Sequence, residues 1–346
     1  MKKITIALAG QPNVGKSSLI NAISNAKLKV GNFSGVTVDK TEVVFTICDD
    51  VACENYETHI IDLPGAYSLT EYTIEEKVTK SFLQSDEYDV IVNVVDSTNL
   101  QRNLLFTTQL LETGRKVIVA LNMSDEAQNE GIRIDEKQLS KILGVPCIKT
   151  SAATGEGIEA LKESIVEVFN QEETTAKVVY SDPIEEEIGE IVAFLKDKNY
   201  ETYLPYRHLA VKLLQEDQEV YKKMHNEPIW IEMLPLIREG LQHLYLHHET
   251  KDLKAIFDDE HFAFAKGAKM EVISQGMRAR NLTQKIDNLL INKILGIPLF
   301  LFFMWGLFQL TFELGSIPMD YIDAAFGWMG DQAKAVLGEG QLGSLV

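Results

Sequence analysis

The segment Gly10-Gln-Pro-Asn-Val-Gly-Lys-Ser17 constrains the fold of this chain more than any other feature of its sequence. It satisfies the pattern G-x-x-x-x-G-K-[ST], which forms a phosphate-binding loop when it lies between a buried strand and a helix. The apolar residues 4–9 predict that strand, and residues 18–23 predict that helix. A glycine-rich turn before an ordinary helix would not require Lys16 and Ser17 in this register, so we expect a phosphate-binding loop.

The residue types in this loop suit the binding of a nucleotide phosphate. Glycine at positions 10 and 15 lets the backbone wrap around an anion, and the N–H groups at the start of the helix point towards it. Lys16 is expected to reach the β- and γ-phosphates, and the Ser17 hydroxyl is expected to bind Mg²⁺. The predicted phosphate-binding residues are Gly10, Asn13, Val14, Gly15, Lys16, Ser17 and Ser18.

The first half of the chain alternates strands with helices. Helices are predicted at residues 101–113 and 157–169, among others. The strands are predicted at residues 4–9, 41–47, 57–62, 89–95, 116–122 and 146–150. This order predicts an α/β domain over residues 1–169 with a mixed, mostly parallel sheet, which binds ligands at the carboxyl ends of its strands.

Two further motifs are expected to sense the γ-phosphate and Mg²⁺. Asp62-Leu-Pro-Gly65 closes a predicted strand, so that Asp62 holds Mg²⁺ through water and the Gly65 N–H contacts the γ-phosphate. Thr37 lies in the loop between the first helix and the second strand, where a switch threonine would bind Mg²⁺. The predicted switch residues are Gly35, Val36, Thr37, Asp62 and Gly65.

Two more motifs predict recognition of guanine. Asn122-Met-Ser-Asp125 ends an apolar strand, and the Asp125 carboxylate can accept both guanine N1–H and N2–H, which adenine cannot match. The segment Ser151-Ala-Ala153 is expected to donate backbone N–H groups to guanine O6. The predicted guanine-binding residues are Asn122, Met123, Asp125, Ser151, Ala152 and Ala153. Five motifs in this order, each at a strand end, predict a P-loop GTPase that binds GTP and GDP.

Two residues depart from the commonest GTPase pattern. Met123 replaces the usual Lys, and its thioether can lie along the purine but loses a charged contact, so we expect weaker nucleotide affinity. Ala66 stands where Ras-like enzymes carry a water-orienting Gln, so we expect slow intrinsic hydrolysis. The Asn13 amide oxygen is a candidate ligand for a monovalent cation beside the phosphates. The equal alternative is a hydrogen bond that stabilises the loop.

The balance of charge argues against a protein that binds nucleic acid. The chain has 346 residues, enough for two domains or more, and its formal net charge is −18. Residues 181–262 hold 18 acidic and 9 basic residues, and apolar residues recur there at helical spacing. We therefore predict a linker at 170–180 and a small all-α regulatory domain at 181–265. Three cysteines are too few for a disulfide framework and fit a reducing cytosol.

A long apolar run follows a basic connector at residues 266–293. Residues 294–312 contain no charge over 19 positions, about the length that crosses a hydrocarbon core as a helix. We predict one transmembrane helix at 294–313 and a post-membrane segment at 314–346. Because Lys and Arg precede the run, residues 1–293 are expected on the cytoplasmic side. A buried helix of a larger soluble core is the alternative.

The motifs resemble those of the ferrous iron transporter (FeoB) family. The resemblance covers essentially the whole chain and is densest in residues 1–169. It is carried by Gly10-Gln-Pro-Asn-Val-Gly-Lys-Ser17, Gly31-Asn-Phe-Ser-Gly-Val-Thr37, Asp62-Leu-Pro-Gly-Ala-Tyr-Ser68, Val94-Val-Asp-Ser-Thr-Asn-Leu100, Asn122-Met-Ser-Asp125 and Asn292-Lys-Ile-Leu-Gly-Ile-Pro298.

The resemblance implies properties beyond those read from single residues. It implies a GTPase domain on the cytoplasmic side of the bacterial inner membrane, a helical domain that slows GDP release, and a membrane domain that carries Fe²⁺. It also implies K⁺-stimulated hydrolysis, with Asn13 and the backbone near Gly31 and Phe33 as cation ligands. A small cytoplasmic Feo protein is an implied partner. Family members carry many membrane helices, so the chain resembles an N-terminal portion that would not transport iron alone.

Two other functional hypotheses fit parts of the sequence. A soluble GTPase of tRNA modification or ribosome assembly would share Pro12 and Asn13, but such proteins usually carry a basic domain. A membrane-tethered regulator that binds GTP and transports nothing is also consistent with the sequence. His243 and His247 share one helical face at a spacing that could bind metal, although a polar helix end is the simpler interpretation.

Overall fold

The computed structural model describes residues 2–24, 28–32, 39–49, 54–69, 73–85, 87–172, 176–202, 204–275 and 296–337. The chain divides into two compact units, Met1–Met277 and Arg278–Val346. The predicted site residues Phe33, Gly35, Val36 and Thr37 lie outside the described residues.

A seven-stranded sheet forms the centre of the first unit. Its strands are β1 (Lys2–Gly10), β2 (Leu28–Asn32), β3 (Asp39–Asp49), β4 (Glu54–Asp62), β5 (Val90–Asp96), β6 (Val117–Asn122) and β8 (Cys147–Lys149), and a short strand β7 (Ile132–Ile134) lies outside it. The strand order is β2-β3-β4-β1-β5-β6-β8. Among the described strands of this sheet, the β2–β3 and β3–β4 pairs are antiparallel and the others parallel, which confirms the predicted mixed, mostly parallel sheet.

Helices cover both faces of this sheet. They are α1 (Lys16–Ile23), α2 (Ile74–Leu83), α3 (Leu100–Leu111), α4 (Ser124–Asn129), α5 (Glu136–Leu143) and α6 (Ile158–Asn170). Side chains alternate along each strand, so that Ile6 and Leu8 join the core beneath α1 and α6 while Ala7 and Ala9 face the opposite core. The predicted helices at 101–113 and 157–169 match α3 and α6 to within two residues.

Five helices form the all-α part of the first unit. They are α7 (Asp182–Asp197), α8 (Tyr206–Leu214), α9 (Gln218–Met224), α10 (Trp230–His247) and α11 (Leu253–Val272). Helices α8 and α9 are separate because Glu216 adopts a left-handed backbone with φ 52° between them. The predicted boundary at residue 265 falls inside α11, which continues to Val272 and leads into strand β9 (Ile273–Gln275).

A buried carboxylate joins the α/β part to the helical part. Glu112 follows α3, is only 6% exposed, and accepts hydrogen bonds from Tyr180 Oη, His261 Nε2 at 2.5 Å and Gln215 Nε2 at 3.0 Å. Lys212 Nζ lies 3.8 Å from its second oxygen. Glu112 with these four residues is called the Glu112 cluster below. Because one apolar core also runs through both parts, they form a single packed body.

The second unit contains one long helix, α12 (Gly296–Leu337), of 42 residues. Its window Gly296–Glu313 is long and apolar enough to cross a membrane, and none of it is buried within the protein. This window lies within the predicted span at 294–313. The helix does not end at Glu313, however, but continues through much of the segment predicted to follow the membrane.

Candidate nucleotide-binding site

The phosphate loop connects β1 to α1 and is shaped by two left-handed residues. Asn13 has φ 66° and Gly15, the N-cap of α1, has φ 84°. Asn and Gly are the residue types that adopt this backbone most readily. A Cβ at Gly15 would also lie 2.5 Å from Asn122 Nδ2, so no larger residue fits there. Ser17 and Ser18 are exposed at the start of α1, where a phosphate would meet the helix N-terminus.

Lys16 and Asp62 place opposite charges beside this loop. Lys16 Nζ donates to Gly10 O at 3.2 Å and to Gln11 O at 3.3 Å. Burial lowers the pKa of Lys16, and the charge of Asp62 acts in the opposite direction. Burial raises the pKa of Asp62 to about 6, although the Lys16 charge opposes the shift. Both groups are therefore held in a partly desolvated site that favours a compensating ligand.

The Asp62 carboxylate fits the predicted role of a Mg²⁺ partner. Its Oδ1 atom is buried and has no hydrogen-bond partner in the part of the chain that the structure describes. A buried carboxylate oxygen that no longer contacts bulk water and has no hydrogen-bond donor can be stabilised by a hydrated Mg²⁺ ion. Asp62 and Ser17 therefore offer oxygen ligands of the right chemistry for Mg²⁺.

The segment after Asp62 packs directly on the phosphate loop. A Cβ at Gly65 would lie 3.0 Å from Pro12 Cα and N, so a larger residue would press on the backbone of Pro12. Ala66 N donates to Gly10 O at 3.3 Å, and Thr79 Oγ1 donates to Pro64 O at 3.0 Å. The Ala66 side chain is only 1% exposed. A buried methyl group cannot orient an attacking water, which agrees with the expectation from its sequence.

Asn122 links the phosphate loop to both base-reading motifs. Its Nδ2 donates to Val14 O at 2.9 Å, and its Oδ1 accepts from Ala152 N at 3.1 Å. The side chain is buried, and both of its polar ends are engaged within the protein. Asn122, which is predicted to bind guanine, therefore also holds three loops together.

Met123 and Asp125 lie at the start of α4. Met123 has φ 59°, and its Cε atom would lie 3.7 Å from a Cβ at Gly15, so the thioether side chain reaches over the phosphate loop. Asp125 is half-buried in the first turn of α4. Met123 therefore makes an apolar packing contact with the loop, where a lysine would make a charged contact.

The loop that follows β8 is held by its own hydrogen bonds. Ser151 N donates to Glu156 O at 3.0 Å, and Ser151 Oγ accepts from Thr154 N at 3.2 Å. With Ala152 N bound to Asn122, only the Ala153 N–H of these three amides lacks an acceptor among the described residues. Ala153 is therefore the best-placed donor of the three for guanine O6.

A contact not anticipated from sequence fastens the phosphate loop to α3. Gln11 is 4% exposed and its Nε2 donates to Arg102 O at 2.7 Å. This contact could not be predicted from the sequence, because Gln11 lies at a variable position of the loop pattern and Arg102 is 91 residues away.

The residues predicted to bind K⁺, and the histidines considered for metal binding, lie in different parts of the first unit. Asn13 is exposed, and its side chain makes no hydrogen bond to any described residue. Gly31 lies in β2 opposite Lys40 of β3. His243 Nδ1 lies 3.0 Å from Glu187 Oε1, and across the described ranges no group of three or more His, Cys, Asp or Glu side chains could hold a metal.

A cleft in the first unit lies apart from this site. It has a volume of about 500 Å³ and lies between α2, α3 and the helical part, with Leu69, Gln109, Phe257 and Asp258 in its walls. None of the described phosphate-loop residues lines it.

Known proteins match this chain along most of its length. Residues 4–165 match the family model of ferrous iron transport protein B, and residues 180–274 match the model of the FeoB cytosolic helical domain. The cytosolic domain of the T. maritima FeoB iron transporter, solved in GDP and GMPPNP forms, is 34% identical with a TM-score of 0.62, and the chain covers 99% of it. The GMPPNP form matches 78% of this chain.

The chain belongs to the FeoB family. Its first unit carries the GTPase domain of that family followed by the cytosolic helical domain.

Longer FeoB relatives extend beyond this chain. The Fe(2+) transporter FeoB of Campylobacter jejuni is 39% identical over 334 residues, which is 96% of this chain and 42% of the relative. A Porphyromonas gingivalis protein named as a fusion of Fe(2+) transport protein A and Fe(2+) transporter FeoB is 37% identical, over 99% of this chain and 41% of that protein. The chain thus spans less than half the length of these relatives.

Proposed function

We propose that this chain is the GTP-binding and GTP-hydrolysing cytoplasmic portion of an Fe²⁺ transporter, together with its first membrane helix. One observation carries the nucleotide part of this proposal. The phosphate loop, the segment after Asp62, the 122–125 motif and the 151–153 loop are joined by direct contacts at the carboxyl ends of β1, β4, β6 and β8. The relatives solved with GDP and GMPPNP support the same assignment.

Guanine selection rests on Asp125 and the Ala153 N–H. The carboxylate would accept from guanine N1–H and N2–H, while the amide would donate to guanine O6. Adenine presents an amino group at the O6 position, which would face the Ala153 donor unfavourably. Asn122 would hold these two elements at a fixed distance from the phosphate loop.

Hydrolysis in this site relies on electrostatics and positioning. Ser17, Thr37 and, through water, Asp62 would hold Mg²⁺, whose positive charge would be available to the phosphates. Lys16 would leave its carbonyl partners to contact the β- and γ-phosphates. Because Ala66 is buried and cannot orient water, intrinsic hydrolysis is slow.

Asn13 would hold K⁺ beside the phosphates, which would add positive charge to that of Lys16. The Asn13 amide is exposed beside the phosphate loop and would bind K⁺ together with the backbone carbonyls near Gly31 and Phe33. Its left-handed backbone explains the asparagine by conformation alone, so the cation role needs a separate test.

The transport part of the proposal rests on the family and on α12. Nucleotide-driven changes in residues 31–40 and 62–75 would be passed to the membrane, where Fe²⁺ is carried by segments beyond this chain. The window Gly296–Glu313 would anchor the protein in the bacterial inner membrane with residues 1–293 in the cytoplasm.

The fused P. gingivalis relative supports a small Feo protein as partner. The soluble RNA-modifying alternative is not favoured, because the named relatives are transporters.

Hydrolysis of GTP by the 346-residue chain in detergent micelles, in K⁺ and in Na⁺, tests this function. We expect the rate to be lower by about tenfold or more in Na⁺. Asn13→Gly removes the amide and keeps the left-handed backbone relaxed, whereas Asn13→Ala removes the amide and strains it. Loss of K⁺ stimulation in both variants supports the amide as a ligand. Loss in Asn13→Ala alone would assign the effect to loop conformation.

A further inference from the structure

The last strand of the first unit returns to the GTPase domain. Strand β9 pairs antiparallel with β7, with Ile273 opposite Ile134 and Ser274 opposite Arg133. Asp135 N donates to Val272 O at 2.9 Å, which extends the ladder by one residue into the end of α11. Val272 is only 2% exposed. The helical part is therefore fastened to the GTPase domain at its final residues as well as through its core.

Strand β7 is directly linked to the 122–125 motif. The motif begins α4, and α4 leads through Gly131, with φ 77°, into β7. Ser124 N donates to Thr150 O at 3.1 Å, so the start of α4 is also tied to the loop after β8. Only two residues separate Asn129, the end of α4, from Ile132, the start of β7. The end of α4 and the start of β7 are therefore closely linked in position.

The other end of β7 supports the second base-reading loop. Asp135 caps α5 by accepting from Gln138 N at 3.0 Å, and Glu136 Oε2 accepts from Lys149 N at 3.3 Å. Lys149 is the last residue of β8, immediately before the loop that contains Ser151 and Ala153. Gln138 Nε2 also donates to Glu271 Oε2 at 3.4 Å, which adds a side-chain link from α5 to the end of α11.

We infer that β9 and Glu136 position the two guanine-reading loops, and that the chain leading to the membrane helix acts on the base side of the nucleotide site through them. Strand β9 is the last element of the first unit that the structure describes before α12 begins at Gly296. A displacement of β9 would move β7, and with it both α4 and the support of the loop after β8. The expected consequence is a change in nucleotide release rather than in the cleavage of phosphate. This inference rests on the proposed function.

The alternation of hydrogen-bonded pairs between β7 and β9 identifies the residue whose substitution tests this inference. In an antiparallel pair, residues that exchange hydrogen bonds alternate with residues that do not. Since Asp135 bonds to Val272, the Arg133–Ser274 pair is the next bonded one, and the Ser274 N–H faces Arg133 O. Ser274 is exposed, so its side chain contributes nothing to the core. Ser274→Pro therefore removes a ladder bond without opening a cavity, and Ser274→Ala is its matched control.

The measurement is the dissociation rate of fluorescent mant-GDP from the 346-residue chain in detergent micelles, with single-turnover GTP hydrolysis measured on the same samples. We expect Ser274→Pro to release mant-GDP about fivefold faster or more, with the single-turnover rate unchanged. Ser274→Ala is expected to match the wild type in both assays. Equal release rates for Ser274→Pro and wild type would overturn the inference.

Glu136 provides a second pair of variants that does not alter the backbone. Glu136→Ala removes the acceptor for Lys149 N and is expected to speed mant-GDP release, while Glu136→Gln keeps an acceptor oxygen and is expected to remain near the wild-type rate. If Ser274→Pro does not fold, this pair decides the question, and unchanged release in Glu136→Ala overturns the role of Glu136. A wild-type chain that binds no mant-GDP would instead contradict the proposed function itself.

Discussion

The phosphate loop and the Glu112 cluster are both built around charged side chains, but their residues come from different distances along the chain. The loop takes its shape from consecutive residues between Gly10 and Ser18. The cluster brings Tyr180 from 68, Gln215 from 103 and His261 from 149 positions away. Consecutive residues therefore set the backbone of the first region, which Arg102 and Asn122 also hold from a distance, whereas the second region exists only when the helical part packs on α3.

The largest effect is expected from breaking the Glu112 cluster. Glu112→Ala leaves the Tyr180 hydroxyl and the His261 ring without their buried acceptor, so we expect the free energy of unfolding to fall by about 3–5 kcal/mol. Urea unfolding followed by circular dichroism measures this loss. Glu112→Gln, which retains an acceptor oxygen, is expected to lose less. Equal stability of Glu112→Ala and wild type would show that the cluster does not hold the two parts together.

The same cluster predicts the direction of a pH effect. Burial alone would raise the pKa of Glu112, but the contacts with His261, Lys212 and Gln215 together outweigh it and place the pKa below its ordinary value of 4.5. The unfolded chain therefore takes up this proton before the folded chain does. The stabilisation is complete above the ordinary pKa and is lost as the pH falls below it. Glu112→Ala is expected to remove this part of the acid sensitivity.

A smaller effect is expected where a distant contact supports the phosphate loop itself. Asn122→Ala leaves Val14 O and Ala152 N without partners, so we expect a loss of about 2 kcal/mol in the free energy of GDP binding. Isothermal titration calorimetry with GDP measures it. Asn129→Ala is the control, because Asn129 is exposed at the end of α4. An unchanged GDP affinity in Asn122→Ala would mean that the loops hold their positions unaided.

The smallest effect is expected from titration of Asp62. Its pKa of about 6 means that protons compete with Mg²⁺ below that pH. Between pH 7.5 and pH 5 the apparent affinity for Mg²⁺, measured with bound mant-GDP, is expected to fall about tenfold, or about 1.4 kcal/mol. Asp62→Asn is expected to bind Mg²⁺ weakly without this dependence. If the wild type and Asp62→Asn show the same pH dependence of Mg²⁺ affinity, the titrating group belongs to the nucleotide and not to Asp62.

These contrasts explain which parts of the molecule were predictable. The strands at 4–9 and 116–122 were foreseen because their apolar runs are bounded by glycine or by polar motifs. Strands β7 and β9 were missed because each has only three residues, too few to show a period. The end of the helical domain was placed at 265 because the sign of the charge changes there, yet α11 carries its buried face on to Val272.

The sequence by itself determined the GTPase domain, the order of its motifs and the presence of an apolar span, because these depend on residue type and spacing along a continuous stretch. Only the tertiary structure decided that Asn122 holds three loops together, that Glu112 joins two parts of one body, and that β9 returns to β7. Each of these depends on polar groups that find partners far along the chain. Such partners are chosen by the requirement that buried donors and acceptors be satisfied, which no local pattern encodes.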